Sequence, residues 1–328
     1  MISPKVGDKK RRRQIISLAV VLVLLIAASM LPKVVAGYTV VLFATFIVYM
    51  VMSVSWTLFS GPTGYMSLAT AAFYGVGIYV SAMFGGSVPL PVLMLIGGAA
   101  SFVIAFIIGA ITLRLRGVYF TIFSFALVKL LESLINWLEI RISGVRGHHI
   151  TSGIPRADLN NTVFYYLLGA LALLLVVAYI IRHSRFGRAL TAIGESEDAA
   201  AHIGINTTVF KILGFAISAF FVGCVGSAWA LKLGYIDSGI AFNANMSFLP
   251  ILMAIFGGIG VLPGPVIGAA VFAYITEILS TRFPTYSMIG TGIVMVVAIL
   301  FLPNGIFGLA QKGIMNIKLR GTKKGANT

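Results

Sequence analysis

Apolar runs long enough to cross a bilayer recur along the chain, with short polar breaks between them. A crossing helix needs roughly 20 mostly apolar residues. Runs near that length lie at about 14–31, 38–59, 64–84, 91–113, 117–135, 162–181, 212–232, 247–261, 264–281 and 286–302. The pattern therefore predicts an all-α polytopic membrane protein with about ten transmembrane helices. The eighth and ninth runs are short and meet at Gly257-Gly258-Ile259-Gly260-Val261-Leu262-Pro263-Gly264-Pro265. That junction fits either a tight turn between two spans or the break in one discontinuous helix. Two polar stretches are long, 136–161 and 182–211. In the second, Leu190 and Ile193, then Ala200 and Ile203, recur at helical spacing and predict a short amphipathic helix. The domain reading is a basic tail over 1–13, a transmembrane domain over 14–302 and a second basic tail over 303–328.

Composition agrees with lipid as the solvent. Hydrophobic residues make up 59% of the chain and charged residues only 10%, against about 25% charged in soluble domains. The mean hydropathy is +1.01. The net charge of +15 does not imply nucleic acid, because the 24 basic residues sit mostly at the ends of apolar runs. Placing both termini in the cytoplasm puts Lys5, Lys9–Arg13, Arg114, Arg116, Arg182, Arg185, Arg188, Lys211 and the C-terminal Lys312, Lys318, Arg320, Lys323 and Lys324 on the inner side. Lys33, Arg141, Arg146, Arg156, Lys232 and Arg282 are left outside. This asymmetry predicts a bacterial inner-membrane protein with cytoplasmic termini. The basic start and the run to Leu31 read as a signal anchor, since the run is longer than a cleaved signal's apolar region.

Candidate chemistry is sparse. The lone Cys224 excludes an internal disulfide and a cysteine metal site. His148, His149, His183 and His202 lack metalloprotease spacing, and no phosphate-binding Gly-x-x-x-x-Gly-Lys-Ser/Thr loop is present. The chain is expected not to be an enzyme and to bind no cofactor. If ATP is used, another subunit binds it.

Three segments could carry a function. In Gly61–Tyr79, Gly61, Pro62 and Gly64 break the helix at its entry, and small residues with hydroxyls follow. Such a segment fits a tightly packed helix or the lining of a solute path, where freed backbone groups face a polar cavity. It also has a weak echo at Gly257–Ala270. In Leu113–Thr121, Arg114 and Arg116 are sufficiently explained as snorkelling orientation signals. In Arg185–Ile205, Asp198-Ala199-Ala200 followed by Gly204 presents a flat surface that fits a partner's groove. The acidic Glu195, Glu197 and Asp198 argue against its resting on an anionic leaflet. Lys129 and Glu132 fall on one face of the fifth run, and Glu277 lies late in the ninth. They fit an ion-pair or pathway role, or a position near the outer interface.

Gly64–Tyr79, Leu113–Phe120, Thr151-Ser152-Gly153, Ser184–Gly204 and Gly257–Ala269, in that order, resemble the branched-chain amino acid ABC transporter permease family, its LivM-type member more than its LivH-type partner. The resemblance covers about residues 40 to 305. It implies a type II importer-like helical bundle that pairs with a homologous permease subunit. Two cytoplasmic ATPase subunits and a periplasmic solute-binding protein complete the transporter. By resemblance, Glu195, Asp198, Ala199, Ala200 and Gly204 couple to the ATPase. Ser67, Thr70, Phe73, Tyr119 and Thr121 are candidates for lining the translocation path, and Arg141, Arg146 and Arg156 on the outer loop fit either docking of the binding protein through its acidic lobes or a solvated loop. The implied solutes are branched-chain or other amino acids. Urea or amide permeases and nucleoside or sugar permeases share the architecture, and an ion-coupled secondary transporter is the rival of another class. Ala69, Thr70, Val118 and Ser152 depart from the family pattern near the path, which leaves the solute open.

Overall fold

The computed structural model describes residues 37–151 and 153–301, with positions 29, 30, 32 and 305 besides. The predicted first span and both basic tails lie outside the described residues apart from those positions. The helices are α1 (Gly37–Thr63), α2 (Thr70–Phe84), α3 (Leu90–Thr112), α4 (Val118–Ser143), α5 (Arg156–His183), α6 (Arg185–Glu195) and α7 (Glu197–His202). They continue as α8 (Thr207–Leu233), α9 (Ser238–Ala241), α10 (Asn245–Gly257), α11 (Pro263–Arg282) and α12 (Ser287–Phe301). Two-residue strands β1 (His148–His149) and β2 (Tyr235–Ile236) pair antiparallel.

Among the described residues, seven helical segments are long and apolar enough to cross a membrane. The spans predicted at 64–84 and 286–302 are not among them, and α12, within the second, has only 15 residues. Residues 64–69 are non-helical, and α2 is left with 15 residues, about 22 Å at 1.5 Å per residue against a ~30 Å hydrocarbon core. Gly64, at φ +71°, turns the chain after α1. The exposed backbone groups of the break are then satisfied from neighbouring helices. Trp56 Nε1 donates to the Ser67 carbonyl at 2.8 Å and Thr121 Oγ1 to the Met66 carbonyl at 2.9 Å. Leu68 N donates to Ser124 Oγ at 2.8 Å, and Ala71 N to Ser247 Oγ at 3.2 Å.

The span predicted to end at residue 135 is also corrected. α4 continues to Ser143 and closes on Gly144, a left-handed cap at φ +69°. The polar residues that suggested an end are accommodated instead, since buried Glu139 is fully engaged in hydrogen bonds described below. The Gly257–Pro265 junction is a turn between two helices packed against each other. A Cβ at Gly257 would strike the Gly264 carbonyl, and one at Gly268 would strike Gly257 and the Met253 carbonyl. Glycines at this seam let the α10 and α11 backbones touch.

α8 is the central helix: 72% of its most apolar window is buried, against 22% for α4 at the periphery. Close approach explains it. A Cβ on Gly77 would run into the Gly223 carbonyl, and one on Gly223 into Ser101 and the Gly97 carbonyl. Serines then bond across the seams, Ser81 Oγ to the Ser227 carbonyl at 2.7 Å and Ser55 Oγ to the Ser218 carbonyl at 2.9 Å.

Successive connections gather alternately at two ends of the bundle. Arg182 donates to the Ile259 carbonyl at 3.1 Å and Lys211 to the Leu113 carbonyl at 2.9 Å, so 113–116, 182–211 and 258–262 share one end. Ile150 N donates to the Gly234 carbonyl at 2.9 Å, which joins the loop after α4 to the α8–α9 connection at the other.

Candidate functional site

The long polar stretch after α5 folds into two helices rather than one. Ser184 caps α6 by accepting from Gly187 N at 3.2 Å, and Ser196 caps α7 by accepting from Ala199 N at 3.3 Å. Ser and Thr are favoured at such caps because the side chain satisfies an otherwise free N–H. α6 turns Gly187, Ala189, Leu190 and Ile193 inward, as the Leu190–Ile193 spacing predicts, whereas Ile203, read as continuing that face, is exposed beyond the end of α7. A Cβ at Gly194 would overlap the Pro62 carbonyl, so α6 lies directly on the end of α1.

α7 is held by ions. Lys211, at the start of α8, is only 2% exposed. Its Nζ donates to Glu197 Oε1 at 2.6 Å, to the Leu113 carbonyl at 2.9 Å and to the Tyr65 hydroxyl at 3.2 Å. Tyr65 OH in turn donates to Glu197 Oε2. Arg116 lies 3.9 Å from Glu197 and bonds Asp198 at 3.0 Å. Burial pushes the Glu197 carboxyl up, but the Lys211 and Tyr65 hydrogen bonds and the Arg116 charge pull it further down, leaving it below the ordinary carboxylate value. Arg116 therefore does more than orient the chain: it reaches α7 as well, although its bridge to Asp198 is exposed on both sides and correspondingly weak.

Of the residues read as ATPase-coupling, Asp198 is in this clamp and Ala200 is buried beneath it. Glu195, Ala199 and Gly204 face outward. Gly204 sits at φ +86°, which only glycine adopts freely, and Ile203 beside it is 75% exposed. The outer surface of α7 is thus small, partly apolar and uncovered. Glu197, Lys211 and Tyr65 were not among the sequence candidates. Their signal was a lysine opening an apolar run fourteen residues after an acidic cluster, which burial turns into a demand for a carboxylate.

Ser67, Thr70 and Phe73 come together around the start of α2, each 5% exposed or less. With Trp56, Ser60, Phe215 and Ser218 they line a cavity of about 10 Å³, room for roughly one water molecule. Ser60 Oγ has no hydrogen-bond partner among the described residues. The packing is closed here to anything larger than water. Thr121 borders the break through its bond to the Met66 carbonyl, whereas Tyr119 is 75% exposed on the far flank of α4 and does not join the cavity. Aromatic rings connect the cavity to the clamp: Phe73 to Phe215 at 5.2 Å, Phe215 to Phe120 at 6.1 Å, and Phe120 to Tyr65 at 5.5 Å.

At the other end, Glu139 accepts from Tyr79 OH at 3.0 Å and Gly147 N at 3.2 Å, and lies 3.6 Å from His148 Nε2. His148 and His149 pair with Ile236 and Tyr235, which gives them a structural place in the loop. Among the described residues no cluster of three metal-binding side chains occurs. Arg141 and Arg146 are exposed around this loop, and Arg156 opens α5. Glu277 accepts from Tyr38 OH at 2.7 Å.

Residues 38–299 match the family model described as the permease component of branched-chain amino acid transport systems. The chain is 27% identical to the high-affinity branched-chain amino acid permease protein LivM of Salmonella typhimurium, covering 88% of this chain and 74% of the relative. It is 33% identical to the corresponding LivH protein of Escherichia coli K12 over 41% of this chain and 44% of that one. A more distant match is the autoinducer 2 import permease LsrC of Yersinia pseudotuberculosis, 25% identical over 40% of this chain and 39% of LsrC. No solved structure matches.

Proposed function

This chain belongs to the permease-component family of branched-chain amino acid transport systems, and from that premise we propose that it forms half of the membrane pathway of an ATP-driven importer for branched-chain or similar amino acids. A homologous LivH-type permease supplies the other half. Two ATPase subunits sit at the end carrying α6 and α7, which is cytoplasmic, with both chain termini on that side. A solute-binding protein docks at the opposite end, and ATP is hydrolysed by the partner subunits only.

The observation that carries this reading is the construction of α6–α7. A short helix pair with an uncovered small-residue surface is bound rigidly to the transmembrane helices through Lys211, Glu197, Tyr65 and Arg116. A partner that moves α7 moves the starts of α4 and α8 with it. The rings from Tyr65 to Phe73 extend that contact to the break before α2. The closed cavity there fits one state of an alternating-access cycle, which the ATPase biases through its different affinity for the two states.

Uptake of labelled leucine, isoleucine, valine and urea by cells with and without the gene, with ATP supply controlled, tests the reading. ATP-dependent loss of the amino acids is expected. Loss of urea alone would change the solute, and uptake that survives ATP depletion but fails with an uncoupler would replace the importer by a secondary transporter.

A further inference from the structure

Three polar residues in the middle of α4 lie on a single flank. Phe125, Lys129, Glu132 and Asn136 follow one another at alternating spacings of four and three, which aligns them along the helix. That flank adjoins the helix break and α10: Thr121 bonds the Met66 carbonyl, and the Phe125 and Phe248 rings lie 5.4 Å apart. The other exposed flank carries Tyr119, Phe123, Leu130, Leu134 and Trp137. Apolar side chains there suit lipid, and the first charge on that flank is Arg141 in the last turn of the helix.

Depth matters because α4 extends beyond its sequence-based end. At 1.5 Å per residue the helix is about 39 Å long, with Lys129 and Glu132 about 17 and 21 Å along it. They are at the middle of the span. Lys129 Nζ bonds Glu132 Oε2 at 2.7 Å, yet the side chains are 56% and 25% exposed. A mid-membrane charge pair is costly against acyl chains and is found facing a bundle interior or a water-filled path. One turn further on, Asn136 Oδ1 is buried with no hydrogen-bond partner among the described residues, a state that costs free energy unless a donor arrives.

We propose that Lys129, Glu132 and Asn136 form the mid-membrane recognition site for a zwitterionic α-amino acid, an inference that rests on the proposed importer function. The Lys129 ammonium takes the solute carboxylate. The Glu132 carboxylate and Asn136 Oδ1 take the solute ammonium. Between solutes the two side chains neutralise each other. When a zwitterion arrives, one internal ion pair is exchanged for two external ones, and the site carries no net charge in either state. An uncharged solute such as urea or a sugar cannot make this exchange and leaves the pair closed. The site thus selects the charged backbone of an amino acid and leaves the side chain to be read elsewhere.

The test uses the complete transporter, reconstituted in proteoliposomes with its binding protein and labelled leucine. The double variant Lys129→Gln with Glu132→Gln keeps the side-chain lengths and removes both charges. Leucine uptake should fall at least about tenfold, the effect of about 1.4 kcal/mol, while ATP hydrolysis stimulated by leucine-loaded binding protein stays within about twofold. Uptake within about twofold of the unaltered transporter overturns the inference. If the double variant does not assemble, Asn136→Leu decides, because it leaves the ion pair intact. A rise of about threefold or more in the uptake KM supports the site, and an unchanged KM overturns it. An unaltered transporter that imports no amino acid overturns the proposed function itself, and this inference with it.

Discussion

Replacing Lys211 by Met removes one ammonium while keeping an unbranched stem in a site that is 2% exposed. Three bonds go with it, to Glu197 at 2.6 Å, the Leu113 carbonyl at 2.9 Å and Tyr65 at 3.2 Å. Removing one partner of a fully buried ion pair costs about 3–5 kcal/mol, chiefly because the other charge is stranded. Glu197 is not fully stranded. Its side chain is 17% exposed and keeps the Tyr65 hydroxyl and Arg116. The expected weakening of α7's attachment is therefore nearer ~2–3 kcal/mol. This raises the population of detached α7 by about 30- to 150-fold. Hydrogen exchange at the amides of 197–202, measured on the purified protein in nanodiscs, reads that population directly. Glu197→Gln strands the more deeply buried Lys211 ammonium and should cost at least as much, and the double variant should cost clearly less than the sum of the two. Unchanged exchange in Lys211→Met, or strict additivity, would refute the ionic anchor.

The remaining predictions concern the same element and the two ends. Because the native Glu197 carboxyl lies below its ordinary value, its contribution is complete at neutral pH and is lost as pH falls through that lowered value. Protection of α7 should stay flat from about pH 7 to 5 and drop only below about 4, with Glu197→Gln insensitive, and a decline already under way by pH 5 would contradict this. Gly257→Val should lower the melting temperature strongly, since its side chain would collide with the Gly264 carbonyl, whereas exposed Gly260→Val, with open space around it, should not. Equal melting of the two would dismiss the glycine seam. Gly204→Arg, at φ +86° beside exposed Ile203, should insert normally and abolish ATP-driven uptake, and normal uptake would remove α7 from the coupling role. Reversing Arg141, Arg146 and Arg156 to Glu should slow binding-protein association and flatten its salt dependence, and uptake and salt dependence that do not change would end the docking assignment.

Much of the architecture was legible because membrane burial writes itself locally. An apolar run of span length, a cluster of arginines at its end and the alternation of loops follow from the cost of placing charge and free backbone groups in lipid. Five of the predicted spans, from 38–59 to 212–232 apart from 64–84, correspond to long helices. The inward face of α6 also followed its spacing of apolar residues. Gly64 marked an interruption, although α1 runs on through Gly61 and Pro62 to Thr63, and Ser67, Thr70 and Phe73 were found around one cavity.

What the sequence determined by itself was a helical membrane protein and its family. Only the tertiary structure decided where the interruption falls, because residues 64–69 are apolar enough to read as helix and stay open only through bonds from Trp56, Thr121 and Ser124. It also decided that α4 continues past residue 135, since Glu139 needs Tyr79 and Gly147 to be tolerated inside, and this moves Lys129 and Glu132 to mid-span. It alone paired Lys211 with Glu197 and Tyr65. Hydropathy counts the cost of each residue against lipid, but a buried charge is stabilised by a partner that the chain brings back from far along its length, and no local pattern records that meeting.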